Sequence, residues 1–288
     1  MIKLLKRMLR QTLPPSDNFT MSRKTVLGED LTFFTHSRDE FIGAALRGDH
    51  PIHDQDLSEL QALVNKLTDG ESILDIGGNI GFYGSILGRK LPNSRIVSVE
   101  PDPTNFALLT LNTRVNQCLN VMCVNVALGT DDSWIKFYRN VQNPGDSMSF
   151  KPSDEYMDSR RMTVQEQWVR KVSAGAFLSD MRRIFQNFGP HAVKIDTQGM
   201  DIEILETLLP SLSAGTLVSL ELSPHHLRMG GTSFSRAVHC LRRMAKMERL
   251  VVKNKRAQLL DVGIKEVERY LETYPEKYSG YWDLFLRV

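Results

Sequence analysis

The residues with the most chemical content begin at Ile73-Leu74-Asp75-Ile76-Gly77-Gly78-Asn79-Ile80-Gly81, an apolar run that takes up an acid and then a glycine-rich turn. Glycine lets a backbone turn tightly and approach a ligand without a Cβ in the way. A dinucleotide fingerprint needs GxGxxG, and the residue two before Gly78 is Ile76. A phosphate loop needs Lys and Ser or Thr after its last glycine, and Gly81 is followed by Phe82-Tyr83. The turn therefore suits a ligand without phosphates, and Asp75 beside it favours a cationic group. The next strand ends in Val97-Ser98-Val99-Glu100-Pro101-Asp102. A carboxylate at that strand end can accept hydrogen bonds from both hydroxyls of a ribose, so Glu100 is a candidate nucleoside reader. Groups able to take a proton come later: Asp196 at a strand end, and His225 or His226 after Glu221-Leu222-Ser223-Pro224. Histidine has the pKa better matched to such work near neutrality.

Four segments, 75–81, 99–112, 124–129 and 194–205, resemble in order and spacing the successive motifs of the FkbM family of S-adenosylmethionine-dependent methyltransferases, within the class I Rossmann-like methyltransferase fold. The resemblance runs from about Ser72 to Ser223. It implies S-adenosylmethionine as cofactor, with Asp75, Gly77, Gly78, Asn79 and Gly81 around its methionine part. Glu100 would hold the ribose hydroxyls, and Pro101 and Asp102 would shape the adenine wall. Asn125, Val126 and Ala127 would lie beside the adenine. Lys194, Asp196 and Gln198 would face the crevice at the carboxyl ends of the sheet, Lys194 and Gln198 as substrate contacts. Two positions depart from the family pattern. Ala is commoner where Gly78 stands, and D-x-E-G is frequent where this chain has Asp196-Thr197-Gln198-Gly199.

Methyl transfer from a sulfonium is an in-line displacement, so a hydroxyl acceptor has to be aligned and deprotonated. Asp196, His225 and His226 are the expected catalytic groups. The expected reaction is O-methylation of a hydroxyl on a sugar, glycan precursor or secondary metabolite. The alternative is a non-catalytic or scaffold protein that retains the methyltransferase fold. A nicotinamide-dependent oxidoreductase is disfavoured by the missing fingerprint.

No metal site is expected. Asp146, Asp196, Asp201, Glu221, His225 and His226 have suitable donor atoms but form no compact ligand motif, and His50, His53, Asp54 and Asp56 read as a solvated polar loop. The bases Arg242, Arg243, Lys246, Arg249, Lys253, Lys255 and Arg256 lack interleaved aromatics and read as solvated faces, so nucleic acid is not an expected partner.

These residues need a scaffold, and the pattern from Ser72 onward supplies one. Strands are expected at Ile73–Ile76, Arg95–Val99, Val121–Asn125, Ala192–Ile195, Leu217–Leu222, Leu250–Lys253 and Trp282–Leu286. Helices are expected at Gly81–Leu91, Thr104–Asn116, Gly175–Asn187, Met200–Leu208, Ser233–Met247 and Ile264–Thr273, with another at Asp56–Leu67. This alternation predicts an α/β fold: a doubly wound, mostly parallel, seven-stranded sheet of class I methyltransferase type, with helices on both faces and an N-terminal helical extension. Residues 130–171 break the rhythm and read as an antiparallel hairpin or lid over the ligand crevice, with a turn at Asn143-Pro144-Gly145-Asp146-Ser147. The expected organisation is a basic amphipathic helix over 1–15, a lead-in and substrate lid over 16–71, and a methyltransferase domain over 72–288 with the insertion 130–171.

The 288 residues carry a formal charge of only +2, divided as +4 over residues 1–13, −7 over 14–235 and +5 over 236–288. The acidic middle zone holds every expected cofactor residue, which suits a cationic methyl donor. No run approaches the roughly 18 apolar residues of a membrane span. Three cysteines without a pairing pattern point to a reducing compartment, and the N-terminus lacks a secretory h-region. The expected location is cytoplasmic, with peripheral contact at the inner face of a membrane through residues 1–13 as one use of the basic helix. A homo-oligomer and a small-molecule or glycan acceptor complete the expected partners.

Overall fold

The computed structural model describes residues 18–186, 188–274 and 280–288; the basic helix expected over 1–15 lies outside the described residues. The first element is a hairpin, β1 (Phe19–Val26) and β2 (Glu29–His36), which pair antiparallel. Its two-residue turn has Leu27 at φ 48° and Gly28 at φ 82°, the left-handed pair that matches strand twist. Two helices follow, α1 (Ile42–Arg47) and α2 (Asp54–Lys66). β1 alternates between exposed and half-buried residues up to Val26, and β2 buries Leu31 and Phe33 at alternate positions.

The main scaffold then runs β3 (Ser72–Ile76), α3 (Phe82–Lys90), β4 (Arg95–Val99), α4 (Pro103–Val115) and β5 (Val121–Val124). β6 (Ala127–Gly129) precedes the insertion 130–171, which contributes β7 (Ser133–Asn140), α5 (Asp154–Ser159) and all but the last two residues of β8 (Val164–Ser173). Next come α6 (Ala174–Ile184), β9 (Ala192–Ile195), α7 (Asp201–Leu208), β10 (Leu217–Leu222), α8 (Pro224–Met229) and α9 (Phe234–Leu241). The chain closes with β11 (Lys246–Lys253), β12 (Arg256–Asp261), α10 (Ile264–Thr273) and β13 (Trp282–Arg287).

The large sheet has eight strands in the order β12-β11-β13-β10-β9-β3-β4-β5, one more than the seven expected. The extra strand, β12, pairs antiparallel with β11 and is mostly exposed, so it has no apolar face to reveal it in sequence. The expected helix over Ser233–Met247 is also corrected: α9 stops at Leu241, and Met247 pairs with Leu286 in the sheet. Met244 and Met247 continue the helical spacing of Leu241, and the helix pattern is lost to strand pairing there.

Side chains alternate across the sheet into two cores. Ile73, Ile96, Val121, Ala192 and Leu217 pack with α2, α3 and the hairpin, while Leu74, Val97, Val193, Val218 and Leu284 pack with α6, α7, α9 and α10. Burial on both faces explains why the parallel strands are mostly apolar rather than strictly alternating. The chain leaves β3 toward β4 on one side and returns to β9 on the other, so β3 and β9 are neighbours at the point where the winding reverses. A crevice must open there beyond the strand ends. In the small sheet, β8 pairs parallel with β6 and antiparallel with β7. No helix among the described residues is long and apolar enough to cross a membrane.

On the other flank, α4 presents Asn112 and Asn116 one turn apart toward the edge of β2. Their amide oxygens accept from the backbone N–H groups of Phe34 and Thr32 at 2.7 and 2.8 Å, and their amide nitrogens donate to the carbonyls of the same two residues at 2.9 and 2.7 Å.

Candidate active site

Two crevices meet beyond β3 and β9. The first, of about 650 Å³, has Ile76, Gly77, Val99, Glu100 and Pro101 as its floor, Val126 and Ala127 at one end, and Asp196, Thr197 and Gln198 at the other. The insertion covers it with Phe137, Pro144, Gly145, Ser147 and Ser149. The second, of about 660 Å³, lies toward β10 and β13 and is lined by Lys194, Asp196, Glu221 and Asp283, with Asp56, Glu59 and Tyr83 from the helical side. Gly77, Asn79 and Asp196 border both.

The glycine turn fits this position through its lack of side chains. Gly77 has φ 86° and its N–H donates to the Val99 carbonyl at 2.9 Å, which ties the turn to β4. A Cβ on Gly78 would lie 2.2 Å from Ser98 Oγ, so the glycine there is matched to a serine on the adjacent strand. The Asn79 N–H donates to Glu100 Oε2 and the Asp102 N–H to Glu100 Oε1, both at 2.8 Å. The carboxylate is thus clamped between two backbone amides at the crevice floor. Burial, and then the Asp102 carboxylate, push its pKa up to about 8, against the opposing pull of the two N–H donors. Asn79 Oδ1 is buried with no hydrogen-bond partner, at the border of both crevices.

Other expected residues support this floor without lining it. Asp75 is fully buried and accepts from Ser98 Oγ at 2.6 Å; burial raises its pKa most, against the pull of Lys194. Asp102, expected as adenine wall, instead caps α4, accepting from the N–H groups of Thr104 and Asn105 at 2.8 and 2.9 Å. Asn125 bonds the carbonyls of Glu100 and Pro101 at 2.8 and 3.0 Å and braces the turn from behind. Gly81, at φ 83°, begins α3 against Leu109.

Lys194 is 2% exposed, with Nζ 3.1 Å from Asp196 Oδ2 and 4.5 Å from the centre of the Tyr83 ring. Burial pulls its ammonium down, but the carboxylates of Asp196, Glu59 and Asp75 outweigh burial and hold it above the ordinary lysine range. Asp196 Oδ1 accepts from Gln198 Nε2 at 3.2 Å. Asp201 fixes the turn between them by accepting from the N–H groups of Thr197 and Gly199, each at 2.9 Å.

His225 and His226 line neither crevice. Ser223 caps α8 by accepting from the His226 N–H at 3.3 Å, and this start of the helix turns both rings toward the insertion. His225 stacks on Tyr156 with ring centres 5.0 Å apart. His226 sits between Asp146 at 4.0 Å and Glu221 at 3.5 Å. Burial, opposed by the Asp146 carboxylate, lowers its pKa. Glu221, weighed in the sequence only as a metal donor, lines the second crevice directly, one position beyond the Leu220↔Ile195 pair and so level with Asp196. Its proton affinity is raised well above the carboxylate range, by burial first and then by Asp196 and Asp201. Among the described residues no group of three or more His, Cys, Asp or Glu is arranged to hold a metal ion.

Residues 75–248 match the methyltransferase FkbM domain. The chain belongs to the FkbM methyltransferase family. It is similar to Methyltransferase 1 of Beauveria bassiana (24% identical over 49% of this chain) and to methyltransferase sdnD of Sordaria araneosa (22% over 50%). The chain spans 59% and 62% of the length of these relatives. Among solved structures, Trm5b from Pyrococcus abyssi superposes with a TM-score of 0.47 at 10% identity, covering 95% of this chain and 57% of that one.

The two departures from the FkbM pattern acquire a local reason here. At Gly78 the space of an alanine methyl is filled by Ser98 Oγ. At Gln198 an amide donates to Asp196, where a glutamate would set two carboxylates against each other.

Proposed function

We propose that the protein is an S-adenosylmethionine-dependent methyltransferase that O-methylates a hydroxyl of a small molecule, sugar or glycan precursor. The observation that carries this reading is the meeting of two crevices over Gly77, Asn79 and Asp196 in a chain of this family. The first crevice fits the cofactor. Glu100 offers a carboxylate to a ribose diol, Val99, Pro101, Val126 and Phe137 give apolar walls for a purine, and Gly77 and Asn79 leave room for the amino-acid end. When bound, the cofactor supplies an electrophilic methyl group.

The second crevice would receive the acceptor. Asp196 is held by Lys194 and Gln198 and is suited to orienting a hydroxyl. Glu221, with its raised proton affinity, is suited to taking the proton, and His226 reaches the acceptor only through Glu221. His225, packed on Tyr156, has a supporting place instead. Among the described residues, the carboxylates of Asp56, Glu59, Asp196, Glu221 and Asp283 face one ammonium, Lys194, which disfavours a polyanionic acceptor such as nucleic acid.

Calorimetry with S-adenosylmethionine and S-adenosylhomocysteine tests the first half. Wild-type protein is expected to bind both and Glu100→Ala neither; no binding by wild type, or equal binding by both proteins, refutes it. Transfer of labelled methyl to hydroxyl compounds, with none to amines or RNA, tests the second half.

A further inference from the structure

Behind the cofactor crevice four buried side chains from three elements close into a ring. Arg139, on β7, is 3% exposed, and its Nε lies 3.3 Å from Asp102 Oδ2. Its Nη2 lies 3.3 Å from His36 Nδ1 on β2. A guanidinium can only donate, so His36 Nδ1 accepts and its Nε2–H is left to donate to Asn105 Oδ1, 2.8 Å away. The Asn105 N–H returns to Asp102 Oδ1 at 2.9 Å. Two exits from the ring lead to the crevice, and a further link from Gln167 Nε2 to Asp102 Oδ2 ties the ring to β8. The Asp102 N–H holds Glu100 Oε1 at 2.8 Å, and Asn105 Nδ2 donates to the carbonyl of Pro144 at 3.1 Å. One exit therefore reaches the floor and the other the cover.

A buried ion pair is weak as a source of stability, since packed apolar residues often serve as well. A guanidinium here does what an apolar residue cannot: it ties the hairpin and the insertion to the turn that carries Glu100. We infer that Arg139 is a positioning residue for the cofactor crevice, setting the Glu100 turn and the 144–147 cover in register with each other. The inference rests on the reading of the first crevice as the S-adenosylmethionine site. Without Arg139, Asp102 Oδ2 keeps the Gln167 amide, 2.7 Å away, and the fold keeps both of its apolar cores.

The test uses the full chain and S-adenosylhomocysteine, by calorimetry well below the unfolding temperature, with hydrogen exchange at Gly145, Asp146 and Ser147. Arg139→Met is expected to bind about ten-fold more weakly, the scale on which groups behind a ligand-holding residue act. Arg139→Lys, which keeps the charge but cannot span Asp102 and His36 together, is expected to recover part of that loss. Wild type should gain exchange protection over 145–147 on binding, and Arg139→Met should not. A lowered unfolding temperature with wild-type affinity and protection overturns the inference and leaves the cofactor reading standing. Absence of binding by wild type overturns both. If Arg139→Met does not fold, Arg139→Lys decides, because it keeps a cation beside Asp102 but cannot span Asp102 and His36 together: weaker binding with lost protection over 145–147 supports the inference, and wild-type affinity and protection overturn it.

Discussion

A methyl group built on the Cα of Gly77 would lie 1.9 Å from the carbonyl oxygen of Asp196. The first turn of the crevice and the end of the fourth parallel strand are thus in backbone contact, and the obstacle is a main-chain atom that cannot rotate aside. Gly77→Ala combines this clash with φ 86°. We expect a loss of about 3–5 kcal/mol in urea unfolding, as left-handed strain and overpacking add. A loss below about 1 kcal/mol would show that the two strand ends can part.

Gly78 meets a softer obstacle, since the atom 2.2 Å from its Cβ is a serine hydroxyl. Gly78→Ala alone is expected to cost about 1–3 kcal/mol. In a double-mutant cycle with Ser98→Ala the two changes should couple favourably by about 1 kcal/mol or more, because the second makes room for the first. Additive losses would mean that the alanine frequent at this position in the family is excluded here for another reason.

Glu100 predicts a pH dependence with a definite sign. Its carboxyl is raised from 4.5 to about 8, and it must be ionised to accept both ribose hydroxyls. Affinity for S-adenosylhomocysteine should therefore rise with pH, by up to about ten-fold per unit below pH 8, and level off above. For the free protein the folded state holds this proton more tightly than the unfolded chain. Stability should fall as pH rises from about 4.5 toward about 8. Glu100→Gln should flatten both curves. Calorimetry and chemical unfolding across that range read the two effects separately.

These groups differ in how far the sequence discloses them. Strands Arg95–Val99, Ala192–Ile195 and Leu217–Leu222 are legible to the residue, because double-sided burial leaves short, mostly apolar runs with sharp ends. Glu100 is legible through its place after such a run. Glu221 is not, because its role depends on β10 lying beside β9 and on which flank of the sheet the crevice opens, and both are tertiary facts. His225 and His226 mislead for the same reason: chain order places them after the strand, but the capped start of α8 points them at the insertion. Asp102 stands two residues after Glu100 in sequence and is consumed by the helix end it caps.

Among the described residues, Lys194 is the single ammonium beside the carboxylates that line the second crevice. Lys194→Met leaves Asp75 and Asp196 without their nearest cation, and a cost of about 3–5 kcal/mol is expected near neutral pH. Burial raises the pKa of Asp75, so protonating it removes buried charge that Lys194 no longer balances. The deficit relative to wild type should shrink as pH falls toward 5. Parallel unfolding curves at both pH values would place the stabilising role of Lys194 in its packing against Tyr83.

Glu221→Gln keeps shape and removes the proposed base. Turnover with an acceptor found by the labelled-methyl screen should fall at least about 100-fold, with cofactor affinity near that of wild type. His226→Gln should move the acid limb of the pH–rate profile rather than abolish it, since His226 acts on Glu221 across 3.5 Å. Full activity in Glu221→Gln would return the base to Asp196.

Asn112 and Asn116 imitate a neighbouring strand. Each amide offers β2 one acceptor and one donor, at the alternate residues Thr32 and Phe34, where a sheet partner would place its own. An open hairpin edge is a template for association between molecules. Here a helix closes it with side chains alone, so the two asparagines act as a guard against aggregation, while Asn112 also donates to the carbonyl of Ile80 in the glycine turn at 2.8 Å.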